Sequence, residues 1–166
     1  MSEKRIPFMG RRVSFHRDKF FVKFNIGRHP DMQDKPYELR LYVSFINNGD
    51  GGRGPTIMLT SHECSELFLF ITQDKELNLH HGSGQKGGRD GRSDRSLKGS
   101  VQEDHRRGTT YWLNIFAGEE KRSFPLSIAE CFELAQFIRA AIDDMHNGQF
   151  IIYQHALMQR TLYPPQ

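Results

Sequence analysis

The sequence predicts an α+β fold of two pseudo-repeated ββββα units, each an antiparallel sheet covered by a helix. Three observations carry that expectation. The pattern L-[ST]-x-x-E-C-x-E-L-x-x-F-I occurs at Leu59–Ile71 and again at Leu126–Ile138, offset by 67 residues. Seven of its thirteen positions are identical and Thr60/Ser127 is conservative, a density that chance does not supply. Four β-rich runs with turn signals between them lie upstream of each copy. Finally, 166 residues can bury one core without staples, but two halves of this size are too small and too intertwined to be independent domains. A single unit is therefore expected over residues 1–166. It holds one repeat at about 11–73, a second at about 74–145 and a tail at 146–166.

In the first copy the strand signals fall at Arg12–His16, Lys19–Ile26, Tyr37–Asn47 and Pro55–Leu59. Breaks such as His29-Pro30 and Asn48-Gly49-Asp50-Gly51-Gly52 separate them. Thr60 is placed to cap the helix that follows, with Glu63 three residues on completing a capping box. In the second copy the strands are Glu76–His81, Leu97–Asp104, Thr110–Ala117 and Lys121–Leu126, and the cap is Ser127 with Glu130. Cys64, Leu67 and Ile71 share one helical face, as do Cys131, Leu134, Ile138 and Ile142. The two cysteines thus take equivalent inward positions and read as small buried hydrophobes, not as catalytic thiols.

The segment Gly82–Lys98 has another character. It holds five glycines, five basic residues and almost no apolar side chain. Such a composition cannot offset the entropy of ordering. It reads as a long flexible loop within the second repeat, a basic arm carrying Arg89, Arg92 and Arg95 towards phosphates. By contrast the tail is rich in Phe, Ile, Leu and Tyr, and is expected to dock on its own domain or on a neighbouring protomer.

Several function classes drop out. The longest uninterrupted apolar run, Leu67–Ile71, is far below the roughly 20 residues of a membrane-spanning helix. Met1-Ser2-Glu3-Lys4-Arg5 leads into no apolar stretch, which argues against a secretory signal and for a cytoplasmic setting. Two cysteines make neither a disulfide framework nor a CxxC pair. No phosphate-binding GxxxxGK[ST], no HExxH and no His/carboxylate cluster with metal spacing occurs. No catalytic residue, cofactor or metal is expected, and the protein reads as a non-enzyme.

Strand alternation sends neighbouring side chains to opposite faces. Val13, Phe15, Val22, Phe24, Leu41, Val43, Leu77, Leu79, Leu97, Val101, Tyr111, Leu113 and Ile115 then turn inward. Outward lie Arg12, Lys19, Phe21, Lys23, Arg40, Tyr42, Lys98 and Trp112, among Ser, Asn, Gln, Thr and His. No outward carboxylate appears away from the strand ends; the acids belong to the helices and their ends, on solvated faces. A net charge of only +3 therefore hides a segregation into one cationic, aromatic side and one acidic side. Aligned by face, Tyr42 and Trp112 occupy the same site in the two copies. Single-stranded nucleic acid needs this combination, since unpaired bases stack on rings while Lys and Arg follow the phosphates. Duplex DNA hides its base faces and is usually read by a helix.

The passage Gly54-Pro55-Thr56-Ile57-Met58-Leu59-Thr60-Ser61-His62-Glu63 resembles the strand-to-helix passage of the positive-cofactor-four coactivators, which have a ββββα unit. Two such units in one chain resemble the Whirly fold, across roughly Arg11 to Met145. The plant Whirly lysine-glycine-lysine-alanine signature has no counterpart; Lys98-Gly99-Ser100, in a different strand, is its nearest echo. The resemblance implies a single-stranded nucleic-acid binder, often oligomeric, with strands as the binding surface. Single-stranded DNA bound with low sequence specificity is the expected partner, in replication, recombination or transcription. Single-stranded RNA, bound or annealed, is the alternative. A third reading makes the sheet face an oligomer interface of a scaffold module.

Overall fold

The computed structural model describes residues 12–28, 39–82 and 94–146. The first unit runs β1 (Arg12–His16), β2 (Phe20–Arg28), β3 (Leu39–Asn47), β4 (Thr56–Leu59) and α1 (Ser61–Gln73). The second runs β5 (Asn78–His81), β6 (Arg95–Asp104), β7 (Gly108–Ala117), β8 (Glu120–Leu126) and α2 (Ile128–Met145). Each unit forms one antiparallel four-stranded meander, ordered β1-β2-β3-β4 and β5-β6-β7-β8. The duplicated ββββα architecture predicted by the repeat is thus the architecture of the chain.

Both helices start as the sequence dictates. Thr60 Oγ1 accepts from the Glu63 amide while Glu63 Oε2 accepts from the Thr60 amide, and Ser127 and Glu130 repeat the exchange. Each reciprocal pair satisfies two amides that a helix start would otherwise leave bare. Past α1, Asp74 takes a left-handed conformation (φ 54°) and returns its amide to the Phe70 carbonyl.

One core serves both units. Val22, Phe24, Leu41, Val43 and Ile57 from the first sheet and Leu97, Leu113, Ile115 and Phe124 from the second belong to a single buried cluster with Cys64, Leu67, Cys131, Leu134 and Ile138. The helices pack on each other and bridge the sheets: α2 touches β1 and β3 as well as β7 and β8. A glycine makes one of these contacts possible. The ring of Phe70 on α1 lies where a Cβ on Gly99 would be, 2.6 Å away, so β6 meets α1 through a bare backbone. Burial raises the Cys64 thiol well above its ordinary range, with Glu63 adding to the effect, and lifts Cys131 to about 12. Both sulfurs therefore stay protonated and act as small core groups.

Three arginines tie the units together. Arg17, in the β1–β2 turn, grips Glu130 with both terminal nitrogens (2.9 and 2.7 Å), donates to the Pro125 carbonyl and lies over the Phe124 ring. Arg122 on β8 donates to the Phe45 carbonyl (2.9 Å) and pairs with Asp50 at 3.0 Å. Arg95 donates to the Thr56 carbonyl of β4.

Four expectations need correction. The segment expected as loop at 82–98 is strand from Arg95 onward, because Leu97 is fully buried and Arg95 pairs with Ala117. Arg95 itself lies on the inward side of β6, in register with Leu97, and reaches the other unit, so it is not part of an arm. Val101 is exposed, since the β6–β7 hairpin from residue 101 to 108 projects past the core. The helical acids are not all solvated either: Asp144 is buried, Glu130 holds Arg17, and Glu63 Oε1 meets His81 Nε2 at 2.6 Å. Arg89, Arg92 and the tail beyond His146 lie outside the described residues.

Candidate nucleic-acid interface

Strand register fixes which outward residues correspond. Tyr42 faces Met58, one pair before Leu59 at the end of β4; Trp112 faces Pro125, one pair before Leu126 at the end of β8. The two rings are therefore structural equivalents. Following the pairs outward makes Lys23 the equivalent of Lys98, through Ser44 and Asn114. It also makes His16 the equivalent of His80, through Phe21 and Ser96. Even a side-chain bond repeats: Ser44 and Thr56 hydroxyls lie 2.8 Å apart, and Ser123 donates to Asn114 at 2.6 Å in the matching place.

The two aromatics also lean the same way. Tyr42 lies across Gly27, whose absent Cβ would sit 3.1 Å from its ring. Trp112 leans onto the equivalent residue of β6, Gln102, and donates its indole N–H to the amide oxygen at 3.1 Å. Both rings are half-buried on the outward side of their sheets, and base stacking uses rings presented on a sheet surface.

On the first sheet Arg12 is exposed, and Phe21, Lys23, Arg40 and Tyr42 are half-buried. Phe21 stacks on its cross-strand neighbour His16, with centroids 4.9 Å apart and planes 21° from parallel. Lys19 is exposed but sits in the turn before β2, not within the strand. Arg40 Nη1 donates to the Leu39 carbonyl. Ser44 and Ile46 point outward as well, yet both are buried, so the β3 end of this face is covered.

The second sheet is more open. Asn78, His80, Lys98, Ser100, Gln102 and Lys121 are exposed on its outward face, and Trp112, Asn114 and Phe116 are half-buried. Phe116 and Lys121 escaped the sequence reading. Phe116 lies on the outward side of β7 between the two lysines: Lys98 Nζ and Lys121 Nζ each stand 5.5 Å from its ring centroid. The signal was present, because the alternation that puts Trp112 and Asn114 outward continues to Phe116.

The charge segregation holds at strand level. Asp and Glu enter the eight strands only at the ends, as Glu103, Asp104 and Glu120. Two of these are engaged locally. Asp104 accepts the amides of Arg106 and Arg107 at the hairpin tip, which lowers its carboxyl below the ordinary range. Glu120 accepts from Arg122 at 2.6 Å. Among the described residues no group of three His, Cys, Asp or Glu is placed to hold a metal ion.

This pair of ββββα units around one core defines a known class of fold. It is Whirly-like. The chain is similar to the plant transcriptional regulator PBF-2, with 13% identity over 93% of each chain and a TM-score of 0.58. It is similar to WHY1 from Arabidopsis thaliana, with 14% identity over 94% of this chain and 95% of that one, and a TM-score of 0.58. WHY3 from the same plant gives 13% identity, coverage of 94% and 99%, and the same TM-score. The sequence itself matches no family model and no curated protein.

Proposed function

We propose that the protein is a non-enzymatic single-stranded DNA-binding protein of low sequence specificity. The observation that carries this reading is the outward sheet surface, where lysines and aromatic rings recur at register-matched positions and carboxylates stay at the strand ends. Arg12, Lys19, Lys23, Arg40 and Lys98 neutralise phosphates; Phe21, Tyr42 and Trp112 stack bases. Arg89 and Arg92 add charge from the arm. A solved structure of the same fold is described as that of a plant transcriptional regulator, which supports a role in nucleic-acid transactions: transcription, replication or recombination. The work is done in the cytoplasm, on nucleic acid, by a homo-oligomer. Ile128 and Phe132, one turn apart on α2, support that assembly, being 61% and 69% exposed where a monomer gains nothing from exposing them.

A mobility-shift series with matched single-stranded DNA, duplex DNA and single-stranded RNA at two salt concentrations tests the reading. Single-stranded DNA is expected to shift at low salt and to be released steeply as salt rises. Equal affinity for the duplex removes the stacking argument, tighter binding of RNA reassigns the ligand, and no shift at low salt ends the reading.

A further inference from the structure

We propose that Phe116, Lys98 and Lys121 form a nucleotide-binding subsite on the second sheet, with a base stacked on the ring and the flanking phosphates on the two ammoniums. The proposal rests on the reading above and adds a ring and a cation to it.

The geometry is specific. Phe116 sits on the inner strand β7; Lys121 on β8 is its direct cross-strand partner, and Lys98 on β6 is two pairs along on the other side, on the same face. The two ammoniums thus approach one ring from the two neighbouring strands, each 5.5 Å from its centroid. Like charges brought to one ring repel each other, and an arrangement built only for stability would supply a carboxylate. Here neither ammonium has a carboxylate partner among the described residues, and the acid next to Lys121 in sequence, Glu120, is taken by Arg122. A ring quadrupole holds the cations only weakly at an exposed site. A phosphate draws them off easily and leaves the ring to a base.

Trp112 extends the subsite into a track. It lies four residues back on the same face of β7, about 13 Å away at strand rise. That is several times the stacking distance of neighbouring bases, so the two rings hold different nucleotides of one strand lying along β7. Asn114 between them accepts from Ser123 on its side-chain oxygen, and its amide N–H groups have no partner among the described residues, so a base edge or phosphate can take them.

The test moves the fluorophore. Trp112→Phe combined with Phe116→Trp places the single indole of the chain at the proposed subsite. A labelled short oligodeoxythymidine reports binding by anisotropy, and indole emission reports contact. Quenching that tracks the anisotropy curve is the expected result; bound oligonucleotide with unquenched emission overturns the subsite and leaves the function standing. An abasic oligomer that binds as tightly as the thymidine one overturns base stacking here. No binding by the unsubstituted chain overturns both the subsite and the function. Should the double variant not fold, Phe116→Leu carries the test, because it keeps apolar bulk and removes the π-face. With its melting curve unchanged it is expected to bind roughly tenfold more weakly, and unchanged affinity overturns the proposal. Lys121→Gln is expected to reduce the slope of log affinity against log salt by about 0.7; an unchanged slope overturns its phosphate contact.

Discussion

The two sheets share a register and differ in cover. Tyr42 and Trp112, Lys23 and Lys98, His16 and His80 match pair by pair, yet Ser44 and Ile46 are buried on the outward side of the first sheet while their equivalents, Asn114 and Phe116, are half-exposed on the second. Repetition thus copies positions, and local packing decides which copy is open. On the first sheet the aromatic of the outermost matched row is Phe21, already stacked on His16; on the second it is Phe116, whose ring meets two lysines and stacks on no other ring among the described residues. Of two similar surfaces, the second offers a ligand more free ring and more free charge.

The comparison breaks first if the sheets are separate domains. Phe24 in the first and Phe124 in the second are both fully buried in one cluster. Alanine at either is expected to cost about 3–5 kcal/mol and to lower a single cooperative transition for the whole chain, as followed by urea unfolding with far-UV dichroism and tryptophan emission. Two separate transitions in Phe24→Ala, with the indole-bearing half surviving, would sever the units.

A smaller effect sharpens the contrast in cover. Trp112→Ala is expected to lose about 1–3 kcal/mol of single-strand affinity. Tyr42→Ala should lose less, because its ring borders the covered end of its face. Equal losses in a fluorescence-anisotropy titration would show that cover does not matter. The cations should not follow the rings: Lys23→Gln and Lys98→Gln are each expected to reduce the salt slope by about 0.7, since a phosphate needs only a reachable ammonium.

The smallest effect concerns the clamp between units. Burial by itself would raise Glu130, but the Arg17 guanidinium and the Ser127 amide, both donating to it, outweigh burial and hold the carboxyl below its ordinary value. A depressed carboxyl stabilises the fold above its unfolded pKa, and that stability is lost as pH falls through the folded one. Arg17→Ala is therefore expected to cost about 1 kcal/mol near neutrality and progressively less below pH about 4. A thermal-melt difference between variant and parent that stays constant with pH would contradict the sign.

Much of this was legible in the sequence because it is periodic. Thr60 and Ser127, with Glu63 and Glu130, are local signals, and a capping box forms wherever the chain allows it. Alternation placed Phe21, Tyr42 and Trp112 on one side without knowledge of sheet order. What escaped was tertiary. Arg95 sits in a stretch with loop composition, but the pull of Leu97 into the core extends β6 back over it. Arg17 gave no signal as a clamp, because its partner lies 113 residues away. Phe116 itself lay within reach of the same alternation, but the lysines on either side of it needed three strands at once.

Titrating the emission of Trp112 with a short single-stranded oligonucleotide tests the central claim most directly. Saturable quenching at low salt, reversed by added salt and absent with a blunt duplex, is the expected result. Unchanged emission with no oligonucleotide bound at low salt would contradict it.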